Sequence, residues 1–121
     1  IYNICYYSDL TVEVNSNGFE VTLPEEIETI LYRCIQESLT NIIRHSHATK
    51  AQINLKNTSN AVFVSIVDDG VGFDLAAVKN TNKIGLTSMK ERVEVLGGEL
   101  EVFSAYNKGT TISIKIPNKL S

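Results

Sequence analysis

Between Ala51 and Asp69 the chain reads AQINLKN, TSN, AVFVSIVDD, two alternating runs joined by three polar residues. Apolar and polar residues at every second position suit a strand with one buried face, so the pair predicts a β-hairpin. A second hairpin is expected near the end, where ELEVFSA and TTISIKIP flank a turn at YNKG and Ile112, Ile114 and Ile116 share one side. LTVEV, Leu10 to Val14, alternates too and stops at the turn signal NSNG. The period changes to that of a helix from about Glu25 to Ser46, with Ile27, Ile30, Leu31, Cys34, Ile35, Leu39 and Ile42 spaced by threes and fours. Thr22 and Glu25 have capping-box spacing, and Pro24 suits a first helical turn. After a short helix or loop, LAAVKN, and the polar stretch NTNKIG comes a second helix, about Leu86 to Leu96. Its Leu86, Met89, Val93 and Leu96 share a face, and Gly97-Gly98 stops it. Helices do not alternate one for one with strands, which argues against a doubly wound parallel sheet. One mixed sheet with helices on one face is expected.

The chain's 121 residues suffice for one domain with one core. A net charge of −3 and a pI near 5.3 argue against nucleic acid as a bulk electrostatic partner. A ligand bearing phosphates would need placed cations, backbone amides or a metal. No apolar run approaches the roughly 20 residues of a membrane span, and IYNICYY lacks the basic start of a signal peptide. The cysteines, Cys5 and Cys34, form no CxxC pair, a usage that fits a reducing cytoplasm. The start without Met reads as a piece of something longer.

Four short motifs are candidates for chemistry. In VDDGVGFD, Asp68 heads a D-x-G-x-G pattern with Gly70 and Gly72. A carboxylate at a strand end can accept a hydrogen bond from a ligand's amino group, and glycines admit a flat ligand; an Asx-capped turn is the plainer reading. In ESLTNIIRHS, Glu37, Asn41 and Arg44 share a stripe bordering the apolar face. An Asn oxygen suits Mg²⁺, and Arg suits phosphate; a solvated helix edge is the plainer reading. His45 and His47 lack the spacing and companions of a zinc site, and neither reads as a phosphate acceptor. Gly85 precedes a helix whose free amides make a phosphate seat, with Thr87 and Ser88 adding hydroxyls. Gly109 and Thr110 begin the last strand, within reach of a ligand at the sheet edge. Taken singly, the last two are also read as a helix-cap glycine and a turn glycine.

In order and spacing together, YRCIQESLTNIIRHSHATKAQINL, VDDGVGFD, GLTSMKERVEVLGGELEVFS and GTTISIKIP resemble the ATP-binding catalytic domain of bacterial sensor histidine kinases. That domain is of the Bergerat, or GHKL, superfamily. Within it, the motifs resemble the subfamily of nitrate-sensor, desaturase-regulating and cell-envelope-stress kinases, and the resemblance covers roughly Leu23 to Pro117. It implies an α+β two-layer sandwich with a mostly antiparallel sheet. It implies that Asn41 coordinates Mg²⁺, that Glu37 is the acidic residue of the same helix, and that Arg44 and His45 lie near the phosphates. Asp68 would bond the adenine amino group, with Gly70 and Gly72 shaping that wall and Thr110 near it. Gly85 and Leu86 match the second glycine motif, KNTNK corresponds to the lid, and Asp69 matches a variable position. The second glycine motif is GLTSM rather than a double G-x-G.

The resemblance further implies transfer of the γ-phosphoryl of Mg-ATP to a histidine on a separate acceptor and dimerisation domain, then to a response regulator. The acceptor-helix motif is not in this chain. Residues 1–9 are expected to be a connector to that domain and residues 10–121 the catalytic domain, cytoplasmic, monomeric alone and part of a homodimer in full. A serine kinase acting on an anti-sigma antagonist, another ATPase of the superfamily and a degenerate docking module are the alternatives.

Overall fold

The computed structural model describes residues 2–7, 10–16, 23–43, 47–58, 60–71, 86–105 and 107–117. Six strands form one sheet: β1 (Tyr2–Tyr7), β2 (Leu10–Asn15), β3 (Lys50–Asn57), β4 (Ala61–Asp68), β5 (Glu99–Ser104) and β6 (Thr110–Pro117). Among the described residues two helices accompany it, α1 (Glu25–Asn41) and α2 (Leu86–Val95). The strand order is β1-β2-β3-β4-β6-β5. Among the described strands only β2 and β3 run parallel, and α1 lies in the crossover between them. Every other neighbouring pair is antiparallel, so the sheet is mixed and mostly antiparallel as expected.

Alternation decides which face the helices cover. Val62, Val64 and Ile66 on β4 and Ile112, Ile114 and Ile116 on β6 are all buried. Leu10 and Val12, Ala51 and Ile53, and Leu100 extend this layer across β2, β3 and β5. From α1 come Ile27, Leu31 and Cys34, from its C-cap Ile42, and from α2 Met89 and Val93. Ile30, Ile35, Leu39 and Leu96 flank them, partly buried. The opposite face carries Gln52, Ser113, Lys115, Glu99 and Glu101 in the open, with Phe63 and Phe103 among them. The two-layer α+β sandwich follows from this one-sided burial.

Helix ends differ from expectation at one terminus and agree at the other. Pro24 is the N-cap of α1 itself, and no side chain of the described residues caps it. Thr22, the expected cap, lies outside the described residues. Glu25, Glu26 and Glu28 stand in the first turn instead, where their charges suit the positive helix end. The final turn of α2 closes as expected at the glycines. Gly97 takes a left-handed φ of 76°, its N–H donates to the Glu94 carbonyl, and the Gly98 N–H donates to that of Val93. A Cβ on Gly98 would lie 2.6 Å from the Lys115 carbonyl oxygen, so this turn packs onto β6 only without a side chain.

Two features were not expected. Tyr2–Tyr7 forms a regular strand paired along its whole length with β2, where no strand was read from IYNICYY. Ser38 is wholly buried in the α1 stripe, its hydroxyl bonded to the Cys34 carbonyl at 2.7 Å and 3.7 Å from Met89 Sδ. That back-bond to the preceding turn is how a helical hydroxyl survives burial.

Candidate functional site

Topology gathers the candidates at one end of the sheet. The parallel pairing of β2 and β3 means that α1 returns the chain to the end where β3 starts. Asn41, the last residue of α1, therefore lies toward the end at which Lys50 begins β3. Ala51 there pairs with Asp68, the last residue of β4, and Asp68 pairs with Thr110, the first residue of β6. Thr110 pairs in turn with Ser104, the last residue of β5. Because β5 begins at the opposite end, α2 starts at the candidate end and runs away from it.

Asp68 and Thr110 continue the inward series of their strands. On β4 the buried positions run 62, 64, 66, 68, and on β6 they run 110, 112, 114, 116. The layer that is aliphatic along most of the sheet therefore turns polar at its last row. Asp68 is 7% exposed and Thr110 9%. A buried carboxylate needs donors, and Asp68 Oδ1 accepts from the Gly70 N–H at 2.8 Å. Burial pushes its carboxyl above the usual range; the Gly70 N–H pulls it down, the Asp69 charge pushes it up and the Thr110 backbone N–H pulls it down. Thr110 Oγ1 lies 2.8 Å from Ser104 Oγ, which also donates to the Gly109 carbonyl at 3.2 Å.

Gly109 has a structural reason of its own. Its φ is 74°, and a Cβ would collide with the carbonyl oxygen of Asp68. The turn before β6 is thus pressed against the end of β4. The N–H of Asn107, itself left-handed at φ 63°, donates to the Val71 carbonyl, tying the same turn to the segment after Gly70.

Asp69, read from sequence as a variable position, does local work. Its Oδ1 accepts from the N–H groups of Thr49 at 2.9 Å and Lys50 at 3.0 Å, and its Oδ2 from the Thr49 hydroxyl at 2.9 Å. Its N–H donates to the Lys50 carbonyl at 3.2 Å. Burial acts to raise its carboxyl, but the Lys50 and Thr49 donors outweigh it and hold the group below the usual range. The clamp fixes the start of β3 just after His47, whose φ of 53° is unusual for a residue with a side chain. Nothing in the spacing of residues 49 and 69 announces this bond.

On α1, Glu37 and Asn41 stand one turn apart, both half-buried, beside the Thr29, Tyr32, Arg33, Gln36 and Thr40 edge that faces Arg92 of α2. Gly70 is half-buried next to Asp68. Leu86 is the first residue of α2. Arg44, His45, Gly72 and Gly85, with the LAAVKN and KNTNK segments, lie outside the described residues. The structure therefore brings Asp68, Gly70 and Thr110 together, places Asn41 and the start of α2 at the same end, and adds Asp69 and Ser104.

Comparison with known proteins agrees with this architecture. Residues 26–120 match the family described as histidine kinase-, DNA gyrase B- and HSP90-like ATPase. The chain is 38% identical over 98 residues to the sensor histidine kinase LiaS of Bacillus subtilis, covering 81% of this chain and 27% of that protein. It is 35% identical over 111 residues to the histidine-protein kinase/phosphatase DegS of Brevibacillus brevis, covering 92% and 28%. Among solved structures, the blue-light activated histidine kinase EL346 of Erythrobacter litoralis superimposes with a TM-score of 0.73 at 26% identity, over 88% of this chain and 35% of that one. The ATP-binding domain of PrrB from Mycobacterium tuberculosis shares the fold, with a TM-score of 0.64 at 17% identity over 93% and 83%. The chain belongs to the histidine kinase-, DNA gyrase B- and HSP90-like ATPase family. The two relatives it resembles here, LiaS and DegS, are both histidine kinases. It spans little more than a quarter of the length of those two relatives.

Proposed function

We propose that the domain binds Mg-ATP at the polar end of the sheet and donates the γ-phosphoryl to a histidine on a separate acceptor domain. The observation that carries this reading is the last inward row, where a buried carboxylate and a buried hydroxyl replace the aliphatic layer. Asp68 accepts from the adenine amino group, Thr110 lies beside it, and Gly70 with Gly72 leaves room for the ring. An acceptor at this depth is worth more than one in water, because the competing solvent is excluded.

The half-buried carboxamide of Asn41 offers one hard oxygen, which fits Mg²⁺, an ion that keeps several waters and takes few protein ligands. When bound, the ion neutralises charge on the phosphate oxygens. Arg44, His45, Gly85 and Leu86 are proposed on the phosphate side, and Glu37 is proposed either to polarise the attacking imidazole or to order the metal's water. In the transfer, the bond from the γ-phosphorus to the β,γ-bridging oxygen breaks and a phosphorus–nitrogen bond forms, leaving ADP. The protein's part in such a reaction is mostly positioning and charge stabilisation. The phosphoryl then passes to a response regulator. Residues 1–9 are proposed to lead in from the acceptor domain of a homodimeric, cytoplasmically facing kinase. Among the described residues no helix is long and apolar enough to cross a membrane.

Calorimetry with ATP and Mg²⁺ on this chain and on Asp68→Asn tests the reading. Asp68→Asn is expected to weaken binding by about 1–3 kcal/mol, the scale of a lost buried hydrogen-bond partner. Equal binding by both chains would remove Asp68 from the site, and no binding by the unmodified chain would remove the reading.

A further inference from the structure

The hydroxyls beside Asp68 have protons that can be counted. A Ser or Thr hydroxyl donates one hydrogen bond and otherwise accepts. Ser104 Oγ lies 3.2 Å from the Gly109 carbonyl oxygen, which can only accept, so the Ser104 proton goes there. The 2.8 Å contact between Ser104 and Thr110 then takes its proton from Thr110. Thr110 is left with lone pairs alone for whatever lies next to it. Asp68, its register partner on the same inward row, is an acceptor as a carboxylate. Two acceptors therefore stand side by side at the buried end of the sheet.

We infer that Ser104 is a positioning residue for nucleobase choice, holding the Thr110 hydroxyl as an acceptor so that the site takes a 6-amino purine and rejects a 6-oxo purine. The inference rests on the reading of this row as a purine pocket. An exocyclic amine brings two N–H donors to two acceptors. A 6-oxo group brings a third acceptor, and its lone pairs meet those of Thr110 and Asp68 with no proton between them. Such mispairing in a buried site costs far more than a lost contact in water. Without Ser104, the Thr110 hydroxyl can rotate and offer its proton to the 6-oxo oxygen, while Asp68 still opposes it.

The test is competition binding of ATP and inosine triphosphate, with Mg²⁺, to this chain and its variants. The unmodified chain is expected to prefer ATP. Ser104→Ala is expected to shrink that preference by about five- to tenfold, mostly by improving inosine triphosphate, on the scale of one buried hydrogen bond changing sense. Ser104→Thr keeps the hydroxyl and should keep the preference. In a Thr110→Val background, Ser104→Ala should leave the ratio unchanged, because the hydroxyl it positions is gone. A Ser104→Ala chain that loses affinity for both nucleotides by one common factor overturns the inference and leaves the purine pocket standing. An unmodified chain that binds neither nucleotide overturns the pocket and the inference together.

Discussion

Asp68 and Asp69 are neighbours with opposite jobs. One ends the inward row of β4, and burial pushes its carboxyl up. The other faces outward, gathers three donors from Thr49 and Lys50, and sits below the usual range. Alternation along a strand puts consecutive side chains on opposite faces, so one residue of register separates a charge kept for a ligand from a charge spent on the fold. The high carboxyl is destabilising when ionised, and the low one is stabilising. A site group and a scaffold group can thus be told apart by the sign of the shift as well as by position.

Gly109→Ala attacks both at once, since the new Cβ would meet the Asp68 carbonyl and lie 3.6 Å from the Asp69 Cα. A left-handed φ and a backbone collision together are expected to cost about 3 kcal/mol of folding stability. A denaturant midpoint unchanged to within about 1 kcal/mol would show that the turn is not pressed against β4. Separating the pair comes next. Asp69→Ala should lower stability by about 1–2 kcal/mol, the worth of hydrogen bonds to a charge that is largely solvent-exposed. Asp68→Asn should hold or raise stability at neutral pH while nucleotide affinity falls. If instead Asp69→Ala folds as well as the unmodified chain, the clamp contributes nothing.

The smallest effect is in pH. Asp69, depressed in the fold, contributes stability that is fully present above its unfolded value of 3.8 and is lost as pH falls through its lower folded value. Asp68, raised in the fold, takes up its proton at a pH above 3.8. Nucleotide binding should therefore weaken on acidification before the clamp is lost, and Asp68→Asn should flatten that dependence. Binding and unfolding curves that bend at one common pH would erase the distinction.

Much of this was legible beforehand because it is periodic. The alternation of AVFVSIVD and TTISIKIP placed the core layer, and the threes and fours of α1 placed the helix over it. Asp68 and Thr110 were legible as candidates through their glycine neighbours. What escaped depends on partners distant in sequence. Asp69 bonds residues 19 and 20 positions away, and no local pattern encodes that. Ser104 matters only once β5 lies beside β6. Tyr2–Tyr7 lacks a clean alternation, and its strand exists because β2 offers a neighbour to pair with. Ser38 is not among the apolar positions of the α1 stripe, yet a hydroxyl that bonds its own helix can be buried there.

The seam between α1 and α2 has one more consequence, in chemical time. Met89, the chain's single methionine, and Cys34 both have 0% exposure there. Burial pushes the Cys34 thiol up to about 11, with Arg92 pulling slightly the other way, so almost none of it is the reactive thiolate at neutral pH. Oxidant reaches the thioether, and alkylating agent the thiol, only when the helices part. The two sulfur atoms are a built-in clock: their modification rates count how often this layer of the domain opens, and any ligand that holds the helices together must slow them both.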